Sequence, residues 1–131
     1  MSILIYSGRA DALGEQLQEI IEERFRNWTI EPYTGIRELS ERLRKPLYDV
    51  DTAVLLASTK RDLEGLLSLQ DILCSLPLIL ILPDTDHESI SKAHRLCPRF
   101  VAYARNGFRD VALVLGKMLE RSARLRKAEG R

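Results

Sequence analysis

The chain is short of several things that usually announce a function. Its 2 cysteines, Cys74 and Cys97, stand far apart with no C-x-x-C spacing, so no redox or metal motif is readable, and the expectation is two free thiols, buried or half-buried. Neither sign of charge is in surplus. With 20 basic and 19 acidic residues the net charge is +1, which leaves no global field to attract nucleic acid or an anionic membrane; such a partner would need a local patch. No basic group precedes the first apolar residues, and that stretch breaks at Gly8, so the N-terminus is neither a signal peptide nor a membrane span. The expected location is cytoplasmic. Gly8 stands alone in its turn, which excludes a glycine-rich dinucleotide cradle. Aromatic residues make up 6% of the chain, and short, aromatic-poor loops argue against a flavin carrier. No Ser, His and acid combination stands out for nucleophilic catalysis. No enzymatic activity and no cofactor are expected.

What is present is apolar and periodic. A length of 131 residues suits one domain that buries its core without disulfide or metal. The run following Asp51, from Thr52 to Ala57, ends at Ser58-Thr59 and lacks polar alternation, the mark of a central strand buried on both faces of a parallel sheet. Ligands in such sheets collect beyond the carboxyl ends of the strands. In chain order, Ile3 to Tyr6 forms a first strand, and a helix capped by Asp11 carries Leu13, Leu17, Ile20, Ile21 and Phe25 inward. Thr29 to Tyr33 makes an edge strand, placed there by Pro32. A second helix opens at Thr34-Gly35 with Ile36, Leu39, Leu43 and Leu47. After the central strand, Thr59…Asp62 is a capping box for a third helix that runs through Leu63, Leu66, Leu67 and Leu73 to Pro77. Leu78 to Leu82 is a fourth strand, Thr85…Glu88 a second capping box, and Phe100 to Ala104 a fifth strand. Asn106 is positioned to cap a last helix from about Phe108 past Glu120. No internal repeat or linker interrupts the series.

Five strands alternating with helices over short connections predict an α/β fold: a three-layer, doubly wound, five-stranded parallel sheet in the order 2-1-3-4-5. The expected domain covers residues 1–122, followed by a basic C-terminal tail, 123–131, with a frayed end. Within the domain, Ala102-Tyr-Ala-Arg-Asn-Gly-Phe108 resembles the fifth-strand signature of response-regulator receiver domains. The resemblance extends by pattern over about residues 2 to 122.

That resemblance implies a set of functional positions, and the sequence departs from nearly all of them. The two acids that hold Mg²⁺ fall on Ser7 and Gly8, which offer no charged oxygen ligands. The phosphoryl-acceptor Asp falls on Leu56 or Ala57, neither a nucleophile. The Ser/Thr position falls on Leu82 or Pro83, and the Lys on Asn106, followed by Gly107 where the family has proline. Tyr103 alone keeps its family character, as the switch aromatic. Phosphoryl transfer to a carboxylate needs metal, ammonium and carboxylate together. Their absence implies a degenerate, or pseudo-, receiver that is not phosphorylated on Asp and works as a protein-protein interaction module in signal transduction. Asp84 and Asp86 are read as turn and helix-start residues rather than replacements for the lost acids.

The same rim offers Arg9, Ser58, Thr59, Lys60, Arg61 and Arg105 as a candidate anion site. The alternative function is therefore a sensor that binds an anionic nucleotide or metabolite there; the plainer reading is solvated surface charge. His87, His94 and Cys97 have metal-binding atoms but too few fixed ligands, so no metal is expected. On the last helix, Leu113, Val114, Met118 and Leu125 lie outside the inward stripe. They make a candidate interface, in keeping with the family's use of this region for dimerisation, and the expected partner is a protein, including a second copy. The alternative is that they fill a wide core. Five cations between Arg121 and Arg131 give at most non-specific, salt-sensitive contact, so nucleic acid is not an expected partner.

Overall fold

The structure is a computed structural model and describes residues 2–8 and 12–129. Five parallel strands, β1 (Ser2–Ser7), β2 (Thr29–Tyr33), β3 (Val50–Leu56), β4 (Leu78–Leu82) and β5 (Phe100–Tyr103), form one sheet in the order β2-β1-β3-β4-β5. The expected topology is the observed one. Every residue of β1, β3 and β4 is buried, whereas β2 is half open. That contrast follows from position, because central strands are covered by helices on both faces and an edge strand is not. Pro32 sits on β2 opposite Ile5, where a missing amide leaves no gap inside the sheet.

Alternate residues divide the strands between two cores. Ile3, Ile5, Val54, Leu56, Ile79 and Ile81 face one helical layer, made of α1 (Ala12–Arg24) and α6 (Arg109–Glu129). Leu4, Tyr6, Leu55, Ala57, Leu80 and Leu82 face the other, made of α2 (Ile36–Leu43), α3 (Lys60–Leu67), α4 (Gln70–Leu73) and α5 (His87–His94). The period of two in the side chains thus feeds two apolar layers from one set of strands.

Several element ends differ from the sequence reading. The second helix stops at Leu43, leaving Leu47 outside it, and Arg44 closes it ahead of Pro46. The third helix divides into α3 and α4 near Ser68, whose hydroxyl donates to the Gly65 carbonyl at 2.5 Å and competes with the helical ladder. Thr85 forms no capping box. At the start of α5 the Asp84 carboxylate accepts from the Asp86 amide at 3.1 Å instead, and the nearby Ser89 hydroxyl holds the Asp84 carboxyl below its ordinary range. Asn106 ends a 3-10 turn, Ala104–Asn106, rather than capping the last helix. Gly107 then takes φ 76°, a left-handed conformation suited to glycine, and leads into α6. The proposed Asp11 cap lies outside the described residues. Helix α6 continues without a break through Glu129, so its backbone does not mark the expected boundary at 122.

The cysteines are the clearest correction. Cys74 and Cys97 are both exposed and are joined in a disulfide, with Cα atoms 5.1 Å apart. Cys74 follows α4 and Cys97 follows α5; these turns lead into β4 and β5, which are neighbours in the sheet. A sequence separation of 23 residues hides that proximity, which only the strand pairing creates.

Candidate functional site

The carboxyl end of β3 is where a parallel sheet of this order places its chemistry, and here it is closed. Leu56 and Ala57 have no exposed surface. Ala57 extends the ladder by one bond, its amide donating to the Ile81 carbonyl at 2.9 Å. Leu82 is fully buried at the end of β4, and Ser7, 7% exposed, ends β1. None of these positions carries a carboxylate.

The amides beyond Ala57 are occupied from within. The predicted capping box forms in full: Thr59 Oγ1 accepts from the Asp62 amide at 3.1 Å, and Asp62 Oδ2 accepts from the amides of Ser58 and Thr59 at 3.1 and 3.2 Å. These are the donors that an external anion would need. The Asp62 carboxylate reaches them by crossing over Gly8, so close that a Cβ on Gly8 would overlap it. Gly8 therefore serves close approach, and the position that would carry a metal-binding acid in a receiver is covered by an internal carboxylate. Ser58 Oγ is enclosed without a hydrogen-bond partner among the described residues.

The candidate anion rim is dispersed. Lys60 turns to Asp86, Nζ to Oδ2 2.6 Å, and this bond holds its ammonium above the usual lysine range. Arg61 lines a cleft of about 560 Å³ with Tyr6, Gly8, Ile36, Asp62 and Glu64. Burial first, then the Asp62 and Glu38 carboxylates, push the Tyr6 hydroxyl there up to about 12. Arg105 belongs to the turn after β5, and β4 separates that strand from β3. Arg9 lies outside the described residues. Tyr103, half-buried, pairs in register with Leu82 and packs on the core layer of α2 to α5. Asn106 is exposed. Among the described residues no three His, Cys, Asp or Glu side chains gather as metal ligands, and no helix is long and apolar enough to cross a membrane.

A second cleft, which sequence reasoning did not find, lies at the opposite, amino ends of the strands. Its volume is about 340 Å³, and its lining includes Asp51 and Thr52 of β3, Pro77 before β4, Arg99 before β5, and Val114, Met118 and Leu125 of α6. Asp51 is 5% exposed and accepts from Ser122 Oγ at 2.7 Å, which pins α6 to the start of β3. Arg99, Lys117 and Arg121 add exposed cations. Of the candidate interface residues, Val114 and Met118 pack against the core while lining this cleft, whereas Leu113 is 46% exposed. The signal in the sequence was the apolar excess on the last helix; the strand starts that complete the cleft carried none.

Solved structures share this arrangement over nearly the full length. A receiver protein of a response regulator from Pseudoalteromonas atlantica superposes with a TM-score of 0.65, covering 95% of this chain and 98% of its own at 14% identity. The fold is that of a response-regulator receiver. A protein described as pilus assembly-related, from Burkholderia pseudomallei, superposes with a TM-score of 0.66, covering 90% of this chain and 88% of its own at 19% identity. No protein-family model and no curated protein matches the sequence. At identities this low the likeness is one of fold, which the strand pattern carries and sequence identity does not.

Proposed function

We propose that this chain is a signalling module of receiver architecture that acts by protein contact and is not phosphorylated on aspartate. The observation that carries this reading is the end of β3: buried Leu56 and Ala57 are the side chains there, and the amides of Ser58 and Thr59 are filled by the chain's own Asp62. A phosphoryl group would meet no nucleophile, no pair of acids for Mg²⁺ and no free lysine. The working surface is assigned to α6, where Leu113 and Leu125 are exposed beside the amino-end cleft. A large apolar residue held in water on a helix that already has a buried stripe favours a second neighbour, here a protein and specifically a second copy of this chain. What speaks against an anion-sensing rim is the pairing of Lys60 with Asp86 and the presence of the Asp62 and Glu38 carboxylates near Tyr6.

The test is direct. Incubation with a small-molecule phosphodonor and Mg²⁺, followed by intact mass measurement under neutral conditions, is expected to leave the mass unchanged. A stoichiometric, acid-labile phosphoryl adduct would sink the proposal.

A further inference from the structure

We propose that Cys74 and Cys97 form a reversible thiol–disulfide clip that sets one wall of the amino-end cleft. They are the only cysteines in the chain, both are exposed, and they are bonded. Neither belongs to the core, so the bond is not needed to fill a void. Its placement is specific. Cys74 is followed by Ser75, Leu76 and Pro77, and Pro77 lines the cleft; Cys97 is followed by Pro98 and Arg99, and Arg99 lines it too. One backbone bond, from the Arg99 amide to the Leu78 carbonyl at 2.9 Å, ties these two segments where the strands begin. The disulfide is the covalent tie just ahead of it. Cys97 adopts φ 53°, a conformation that residues other than glycine seldom take, and it makes the bond to Cys74 from there.

The chemistry needs only a low-molecular-weight disulfide of the glutathione type as oxidant. One cysteine thiolate attacks a sulfur of that disulfide, forming a mixed disulfide and releasing one small thiolate. The second cysteine thiolate attacks the protein sulfur of the mixed disulfide, closing the clip and releasing the other small thiolate. The two protons lost by the cysteines end on the two released thiols, so two protein thiols are oxidised as one small disulfide is reduced. Reversal follows the same path, and exposure of both residues gives the small thiol its line of approach. When the clip opens, residues 74–77 and 97–99 are held by fewer constraints, and Pro77 and Arg99 move more freely in the lining of the cleft.

The exchange chemistry is independent of whether α6 binds a partner, and the test reads the clip on the isolated full-length chain. The folded protein is equilibrated with graded mixtures of reduced and oxidised glutathione, quenched by alkylation and weighed. The expected result is a reversible passage from two alkyl labels to none, with the folded circular dichroism retained. Hydrogen exchange at the non-proline amides of residues 75–79 and 97–101 is expected to be about tenfold faster in the reduced form. The Cys74→Ser, Cys97→Ser double variant should reproduce the reduced pattern. Two labels at every glutathione ratio would overturn the proposal, because the clip then never closes. So would reduction only on global unfolding, which marks a fixed structural staple, and so would identical exchange in the oxidised and reduced states or an oxidised-like pattern in the double variant.

Discussion

At Gly8 the absence of a methyl group lets a carboxylate from another element take over the rim. Asp62 leaves α3, crosses Gly8 at the end of β1 and satisfies the Ser58 and Thr59 amides. A Cβ at position 8 and the carboxylate cannot share that space, so Gly8→Ala displaces the cap and should lower stability by about 1 to 2 kcal/mol, the usual scale for losing a helix N-cap. In an Asp62→Ala background the same Gly8→Ala change should be almost silent. A denaturant double-mutant cycle measures the coupling; equal costs in both backgrounds would show that the contact does not hold the cap. The capping box itself was legible, because Thr59 and Asp62 stand at the right spacing. Its packing over Gly8 was not, since that depends on strand β1 ending beside β3. For the same reason Lys60 and Arg61 read as companions in sequence, yet Lys60 reaches Asp86 and Arg61 lines the Tyr6 cleft.

Among the elements, Arg42 is the tie that orders the β2 edge. From α2 it binds Glu31 of β2 at 2.8 Å and Asp49, just before β3, at 3.3 Å. The hydrogen bond from Arg42 holds the Glu31 carboxyl below its ordinary value of 4.5. A carboxyl with a depressed folded pKa contributes stability that is present above the unfolded value and is lost as pH falls through the folded one. Stability should therefore decline as the pH drops below about 4.5, the unfolded value. Glu31→Gln should remove that part of the acid sensitivity while costing about 1 kcal/mol at pH 7, the scale of a partly screened charged hydrogen bond. Urea titrations of both proteins from pH 7 to pH 3 check this; parallel pH profiles would exclude Glu31. The strands were readable because β1, β3 and β4 are apolar on both faces and prolines or turns bound them. Helix ends were less so. The division at Ser68 rests on a hydroxyl turning back to the Gly65 carbonyl, and the start of α6 on Gly107, choices made by local geometry that an apolar stripe does not report. The Cys74–Cys97 bond was the least readable of all, because neither turn that carries it has any pattern of its own.

For the molecule as a whole, the layering leaves α6 with two tasks. One side of the helix, through Val111, Leu115 and Leu119, closes the core with α1; Val114 and Met118 form the edge of that core and the wall of the amino-end cleft. The expected interface therefore divides. Glutamate at Val114 or Met118 would disturb packing as well as any contact, whereas Leu113, 46% exposed, and Leu125, 56% exposed, report on contact alone. The sheet order and the three layers were legible from the alternation of strand and helix, but which α6 residues face water was not, because helical spacing cannot say how far the β5 edge extends beneath them. If α6 pairs two copies across a closed two-fold, each copy places the same residues on the interface, and one glutamate substitution puts charge into it twice. The parent should then sediment at twice its 15.0 kDa mass, and the Leu113→Glu, Leu125→Glu double variant at the single-chain mass with unchanged circular dichroism. Equal masses for parent and variant, whether both one chain or both two, would remove α6 as the site of self-association.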